Sequence, residues 1–301
     1  MFELIETMMS YPFMVRALTV GILVSLCAAL LGVSMVLKRY SMIGDGLSHV
    51  GFAALAAATA TGMAPLKVAI PVCILAAFLM LRLSENSKLK GDSAVAIVCS
   101  GSLAIGVMII SLSSGMNTDV SNYMFGSILS ISEDDALITR ILSIIVIVVF
   151  MLFYNRIFAV TFDENFAKAT GTKAGAYNMI LAVLTAITVV IGMRMMGALL
   201  ISSLIIFPSL SSMRVCKRYK TVMISSVIVS VVCFVIGIIV SFQYSTPTGA
   251  SIVCVNLACF AVFAMVGFIK NKIKNTMITI IDNILVTKAS SSLIERILPN
   301  I

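Results

Sequence analysis

The chain has 301 residues, of which 60% are hydrophobic and 11% are charged, and its formal net charge is +8. A soluble domain carries about a quarter charged residues, so this composition excludes a soluble globular protein. Nine apolar runs come close to the ~20 residues that a helix needs to cross the hydrocarbon core. They cover residues 13–37, 43–62, 65–83, 93–112, 136–155, 174–193, 196–213, 221–242 and 249–269. We therefore predict an all-α, polytopic transmembrane helical bundle of about nine spans, with eight as the alternative count.

Two stretches lie outside this pattern. Residues 113–135 are polar at both ends, and their apolar middle, 123–131, is too short to cross a bilayer. We predict a loop there with a small helix lying in or against the membrane. The C-terminal stretch 271–301 is predicted to form a separate cytoplasmic tail.

The distribution of Lys and Arg predicts the orientation of the bundle. If the N-terminus is outside, only Arg16, Lys67, Arg140 and Arg194 lie outside, and the other 17 of the 21 basic residues lie in inner loops or the tail. Inner loops are the basic ones in membrane proteins, so we predict the N-terminus outside and the C-terminus inside. The positive charge is then explained by topology, and the sequence gives no sign of a nucleic-acid partner.

One polar pair falls inside a predicted span. His49 is the only histidine of the chain, and Asp45 precedes it by four residues, which places both side chains on one face of a helix. An ionisable side chain at the bilayer centre costs ~2.5–3.5 kcal/mol on insertion scales, so such residues usually have a function. Imidazole and carboxylate suit Zn²⁺, Mn²⁺ or Fe²⁺, and two copies around a twofold axis would supply four ligands. The alternatives are a local Asp–His hydrogen bond that only fixes the helix, or a pair close enough to the interface to be hydrated.

A second feature lies between the fifth and sixth spans. Asp163 is a good N-cap, Glu164 suits a first helical turn and Gly171 suits a C-terminal cap, which predicts a short cytoplasmic helix over 164–170. Phe162 and Phe166 give it an apolar side. A helix this short is marginal alone, so a partner surface is expected. The alternative is a plain amphipathic connector at the lipid surface.

Four stretches together resemble the metal-ion permeases of ATP-binding cassette importers, the type serving zinc, manganese or iron. They are Gly-Asp-Gly-Leu-Ser-His at 44–49, the segment 162–171, the run Met-Gly-Ala-Leu-Leu-Ile-Ser-Ser-Leu-Ile-Ile-Phe-Pro at 196–208, and Pro-Thr-Gly-Ala at 247–250. Their order and spacing fit, and the resemblance covers about residues 10 to 270. It implies a permease domain over 1–270, a fold like that of the membrane subunit of the vitamin B12 importer, and a prokaryotic plasma membrane.

The resemblance also implies partners and residue roles. The partners are a second copy of the chain, a cytoplasmic ATPase dimer and an extracytoplasmic metal-binding protein. Asp45 and His49 become ligands of the transported Zn²⁺ or Mn²⁺, with Fe²⁺ as a further candidate, and no covalently bound cofactor is expected. The helix that couples to the ATPase is carried over to Phe162, Asp163, Glu164, Phe166, Ala167 and Gly171. Residues of a pathway-lining helix are carried over to Gly197, Ser202, Ser203 and Pro208.

The chain contains no Gly-x-x-x-x-Gly-Lys-Ser/Thr motif, so we expect a transport subunit that is not itself an enzyme, with ATP hydrolysis on a separate subunit. Two other transport functions stay open. A proton-coupled secondary transporter could use Asp45 and His49 as a proton relay, and an importer of metal chelates could share the same fold. Among the metals zinc is favoured, because His49 suits a site with few nitrogen and oxygen ligands.

Overall fold

The computed structural model describes residues 8–86, 91–113, 132–270 and 272, and in this part of the chain all the regular elements are helices. The elements are α1 (Pro12–Leu37), α2 (Ser41–Ala60), α3 (Pro65–Asn86), α4 (Gly91–Ser113), α5 (Glu133–Leu152), α6 (Tyr154–Phe162), α7 (Glu164–Ala169), α8 (Ala174–Met196), α9 (Ala198–Val215), α10 (Tyr219–Tyr244) and α11 (Thr248–Lys270).

The nine predicted runs correspond to the nine long helices, and their ends differ by at most three residues, as at the start of α5 (136 predicted, Glu133 observed). Eight of the nine long helices in the described part of the chain are long and apolar enough to cross a membrane. The exception is α2, which at 20 residues is ~30 Å long. The all-α, polytopic prediction is confirmed.

The packing of α2 explains why it is less apolar than the other long helices. α2 packs against α3, α4, α8 and α9, so few of its side chains have to meet lipid, and it is rich in Gly, Ala and Ser. The space around Gly46 is filled by Met80 and Val95, and Phe52 lies against Gly106. Cys73 lies against Gly51, so the contacts run in reverse order along α3 and in the same order along α4. α2 is therefore antiparallel to α3 and parallel to α4, as a crossing helix would be. This packing favours nine crossings over eight.

The structure differs from the prediction in the segment that follows α5. The fifth span was predicted to continue to 155 and to lead into a cytoplasmic segment whose one helix covers 164–170, but α5 ends at Leu152 and a separate nine-residue helix, α6, occupies Tyr154–Phe162. The side chains of Phe158 and Phe162 pack against the ring of Tyr219, with ring centroids 5.0 and 5.8 Å away. These contacts with α10 hold α6 in place, and periodicity along the chain does not reveal them. The short helix predicted near 123–131 and the tail predicted over 271–301, apart from residue 272, lie outside the described residues.

α1 lies at the centre of the bundle and contacts α5, α8, α9 and α10. In its most apolar stretch, 72% of the residues are buried, whereas the corresponding share is 17% in α4 and in α11, which lie at the periphery. The close approach of α1 to α9 requires a glycine at position 32, because a Cβ on Gly32 would lie 2.1 Å from the carbonyl oxygen of Ile205 on α9. Small residues at such crossings are how membrane helices pack tightly.

Buried hydroxyl groups link the same central helices. The Ser34 hydroxyl lies 2.8 Å from the hydroxyl of Tyr219, and Ser230 donates to the backbone carbonyl of Ser25 over 3.1 Å. Both pairs join α1 to α10. Interhelical hydrogen bonds of this kind each contribute roughly 0.6–2 kcal/mol in membrane proteins, so they help fix how α10 sits on the central helix.

Candidate metal site and coupling helix

Asp45 and His49 lie one turn apart on α2, as their spacing predicts. The Nε2 atom of His49 and the Oδ2 atom of Asp45 are 3.8 Å apart, which is too far for a hydrogen bond. Two ligands bound at ~2.1 Å to one tetrahedral ion are ~3.4 Å apart. The separation is therefore close to what a bridging cation requires, and the local hydrogen bond considered as the alternative is not formed.

The pair lies on the one face of α2 that its neighbours leave open. The side chains are 23% exposed for His49 and 37% exposed for Asp45, whereas Ile43, Leu47 and Ser48, between and beside them, are buried. Met42, one turn before Asp45, is exposed on the same face. Because the pair is reachable from outside the protomer, a cation or a second protein surface can approach both side chains.

Ser202 on α9 holds the carboxylate of Asp45. Its hydroxyl donates to Oδ1 over 3.0 Å, while Oδ2 is the oxygen that faces His49. One oxygen is thus held in position and the other is available for a ligand. The family resemblance implies only a pathway-lining role for Ser202, and its contact with Asp45, 157 positions away in sequence, is a result of the fold.

A chain reversal at Gly197 brings Ser202 to this position. Gly197 has φ +90° and joins α8 directly to α9 with no intervening loop. A side chain with a Cβ is strained at such a φ, so a glycine is needed where the chain turns. Ser202 lies a little more than one turn into α9, on the side that faces α2.

The other two residues carried over to a pathway lie elsewhere on α9. Ser203 is buried and donates to the backbone carbonyl of Leu200 over 2.8 Å, and Pro208 is buried inside the helix. Of these residues, Ser202 is the one whose side chain hydrogen-bonds to Asp45 in the described part of the chain. The pathway-lining role of the set stays a prediction.

One protomer does not complete a metal site within the described residues. No group of three or more His, Cys, Asp and Glu side chains in the described part of the chain comes together in a way that could hold an ion. Asp45 and His49 supply two ligands. A four-coordinate site therefore needs ligands from outside the described protomer, such as a second copy of the same pair.

The short helix predicted after the fifth span is present as α7. The side chain of Asp163 accepts a hydrogen bond from the backbone N–H of Phe166 over 2.9 Å, which confirms it as the N-cap. The helix ends at Ala169, and Gly171, at φ +81°, closes its C-terminus as predicted: the N–H of Gly171 donates to the Lys168 carbonyl over 3.1 Å and the N–H of Thr172 to the Ala167 carbonyl over 2.9 Å. The side chains of Phe162 and Phe166 are exposed, and Ala167 is buried against Val160 and Ala174.

Glu164 ties α7 to the rest of the bundle. Its carboxylate accepts hydrogen bonds from Lys38 (3.2 Å), Asn178 (3.2 Å) and Lys168 (2.8 Å), and Lys38 also donates to the Asn178 side chain. The side chain of Lys38 is only 7% exposed, so Glu164 neutralises a largely buried cation. Lys38 follows α1 directly and precedes Asp45 by seven residues, so α7 is fixed to the turn that begins α2.

The Glu164 carboxylate in these contacts stays ionised at physiological pH. Partial burial would raise the pKa of Glu164, but the hydrogen bonds from Lys168 and Asn178 and the charge of Lys38 outweigh it and lower the pKa to about 2. A lowered pKa means that the contribution to stability is fully present above the usual carboxyl range, near 4.3, and is lost as the pH falls through 2. Between pH 5 and 8 the Glu164 carboxylate therefore stays ionised.

A sequence model of the family described as the ABC 3 transport family matches residues 10–267. The chain belongs to this family. The ABC 3 match ends close to the described end of α11, and it includes both Asp45 and α7. Together with the apolar helices, it shows that this ABC 3 chain is a multi-pass protein of the plasma membrane.

Three comparisons within this family are informative. The chain is 27% identical over 276 residues to the manganese import system permease protein ScaB of Streptococcus gordonii, covering 90% of this chain and 99% of that protein. It is 29% identical to the high-affinity zinc uptake system membrane protein ZnuB of Haemophilus influenzae, covering 81% and 93%. Among solved structures, PsaBC from Streptococcus pneumoniae in complex with Fab superposes with a TM-score of 0.79 at 27% identity, covering 87% and 94%.

Proposed function

We propose that this ABC 3 chain is the membrane-spanning permease subunit of an ATP-driven importer of divalent transition-metal ions. The observation that carries the proposal is the Asp45–His49 pair, two metal-binding side chains near bridging distance on an open face of a membrane helix. The similarity to permeases named for manganese and zinc import supports it. ATP hydrolysis belongs to a separate ATPase subunit, and an extracytoplasmic binding protein delivers the ion.

The pathway forms between two copies of the chain. Pairing about a twofold axis beside α2 would bring together two Asp45 and two His49 side chains, the four ligands of a tetrahedral site. Isologous interfaces of this kind present the same surface on both copies, which fits a pair that is partly exposed in one protomer. Zinc is the favoured ion for such a site, with manganese and iron as alternatives, because Mn²⁺ prefers more oxygen ligands.

The test is uptake into proteoliposomes that contain the chain, its ATPase and its binding protein. Radioactive zinc and manganese are compared with and without ATP, and with and without an imposed proton gradient. ATP-dependent accumulation is expected, and the isotope that accumulates faster identifies the metal. Uptake that ignores ATP and follows the proton gradient would instead show a secondary transporter. Uptake of an intact chelate but not of the free ion would identify a chelate importer.

Removing the Ser202 hydroxyl should weaken the metal site without abolishing transport. Ser202→Ala frees Oδ1 of Asp45, and a hydrogen bond to a charged group contributes ~1.5–3 kcal/mol when buried and less at this exposure. We expect the KM for metal uptake to rise about three- to ten-fold. Ser202→Thr should restore it, since the hydroxyl is kept.

The matched control for this prediction is Ser203→Ala, because the neighbouring hydroxyl bonds to the Leu200 carbonyl and not to Asp45. A KM that is unchanged in Ser202→Ala, or raised equally in Ser203→Ala, would contradict a positioning role for Ser202.

A further inference from the structure

A groove on the membrane-facing side of the bundle is separate from the candidate metal site. It lies between α1, the junction of α5 with α6, and α10, and has a volume of about 560 Å³, within the roughly 300–1,000 Å³ typical of sites for small organic ligands. None of its lining residues belongs to α2 or α9, which carry Asp45 and Ser202. What occupies it is therefore independent of the proposed metal function.

The groove has one polar end and one apolar end. Lys220 and Asn155 line it where α10 and α6 begin, and Leu26 and Ile228 line it further along. Ile228 is eight residues after Lys220 on α10, which is ~12 Å along the helix axis. A ligand that fits this gradient has a polar head and an apolar body at least as long as that distance.

The neighbours of the polar end indicate how deep in the membrane that end of the groove lies. The ring of Tyr154, another lining residue, lies 5.7 Å from the ring of Tyr219 at the start of α10. The Tyr219 hydroxyl meets Ser34 near the end of α1, and that end carries Lys38, which the orientation prediction places at the cytoplasmic face. Tyrosines are enriched at the level of lipid headgroups. The polar end therefore lies at the headgroups of the inner leaflet.

The positive charge at the polar end of the groove indicates which kind of lipid headgroup it would bind. Lys220 is exposed and makes no hydrogen bond or ion pair that involves another described side chain, and none of the ten described residues that line the groove is acidic. A basic residue at the membrane surface attracts anionic lipid, while the apolar walls match an acyl chain. We propose that this groove is a binding site for an anionic phospholipid of the inner leaflet, with its phosphate at Lys220 and an acyl chain reaching towards Ile228.

The chain contains no tryptophan, so a single introduced tryptophan reports on neighbouring lipid. Val232→Trp places the reporter one turn beyond Ile228 and 13 residues after Tyr219, the first residue of α10. Leu257→Trp places a control on α11, 13 residues before Lys270, the last residue of that helix. The full chain is reconstituted in phosphatidylcholine vesicles with a minor fraction of brominated phosphatidylglycerol. We expect ~five-fold enrichment of the anionic lipid at Val232→Trp and none at Leu257→Trp.

Two charge variants complete the test. Lys220→Ala should remove the enrichment, whereas Lys217→Ala, which removes the same charge from a residue that does not line the groove, should keep it. Equal quenching by brominated phosphatidylglycerol and brominated phosphatidylcholine would overturn the proposal, as would equal effects of the two lysine variants. Enrichment that appears only after deletion of residues 273–301 would assign the groove to the tail of the chain and also overturn it.

Discussion

His49→Ala and Asp45→Ala are each expected to reduce ATP-dependent metal uptake to background while the permease still assembles with its ATPase. In a twofold site each substitution removes two of four ligands, because both copies carry it, and two remaining ligands are too few to replace the hydration shell of a divalent ion. The fold should tolerate the change, since the two side chains are partly exposed and do not hydrogen-bond to each other.

The measurement is uptake of radioactive zinc and manganese in proteoliposomes, with co-purification of the ATPase measured on the same preparations. Asp45→Asn and His49→Gln serve as volume-conserving variants, and Met42→Leu is the matched control, since Met42 is exposed on the same face one turn away. Met42→Leu should transport normally. Wild-type uptake by either alanine variant would remove the metal-site proposal, while loss of both uptake and assembly would indicate a structural role for the pair.

Phe166→Ala is expected to reduce association with the ATPase by ten-fold or more. The phenyl group is 65% exposed on α7, a helix that the N-cap at Asp163 and the Glu164 contacts hold in place. An exposed aromatic on a pre-positioned element is typical of an interface anchor, and truncating such an anchor costs about 2 kcal/mol or more. Because the side chain is not in the core, its loss should leave the folded permease unchanged.

Co-purification of the ATPase with tagged permease, followed by a titration of ATPase into permease nanodiscs, measures this effect. The control is Phe268→Ala on α11, which removes the same group from a residue that is 71% exposed but lies far along the chain from α7. Only the Phe166 variant should lose affinity. If both variants bind the ATPase as the wild type does, α7 is a connector at the lipid surface and not a docking helix.

Much of the site could be predicted from sequence because its determinants are local. The spans follow from runs of apolar residues, the N-cap of α7 from Asp163 at the start of a short helical pattern, and the shared face of Asp45 and His49 from their spacing of four. Each depends only on residues within one or two turns, and helical geometry then fixes their arrangement whatever packs around them. The resemblance of the same local stretches to a permease family was confirmed for the same reason.

Contacts between distant segments could not be predicted in this way. Nothing near Asp45 in sequence indicates that Ser202 holds its carboxylate, and nothing near Glu164 indicates that its partners are Lys38 and Asn178. The separation of α6 from α5 likewise depends on the ring of Tyr219, about sixty residues later. These interactions follow from which helices are neighbours, and that is decided by close packing of small residues and buried hydroxyls across the bundle.

The sequence by itself therefore determined that this chain crosses the membrane many times, where each of the nine long helices lies, and that Asp45 and His49 share one face of a helix. The tertiary structure decided which oxygen of Asp45 is held and which is open, how α7 is tied to the turn before α2, and where a groove with a cationic end forms. The physical reason is that apolar length and helical spacing are properties of a single segment. Interhelical contacts exist only once the segments have packed.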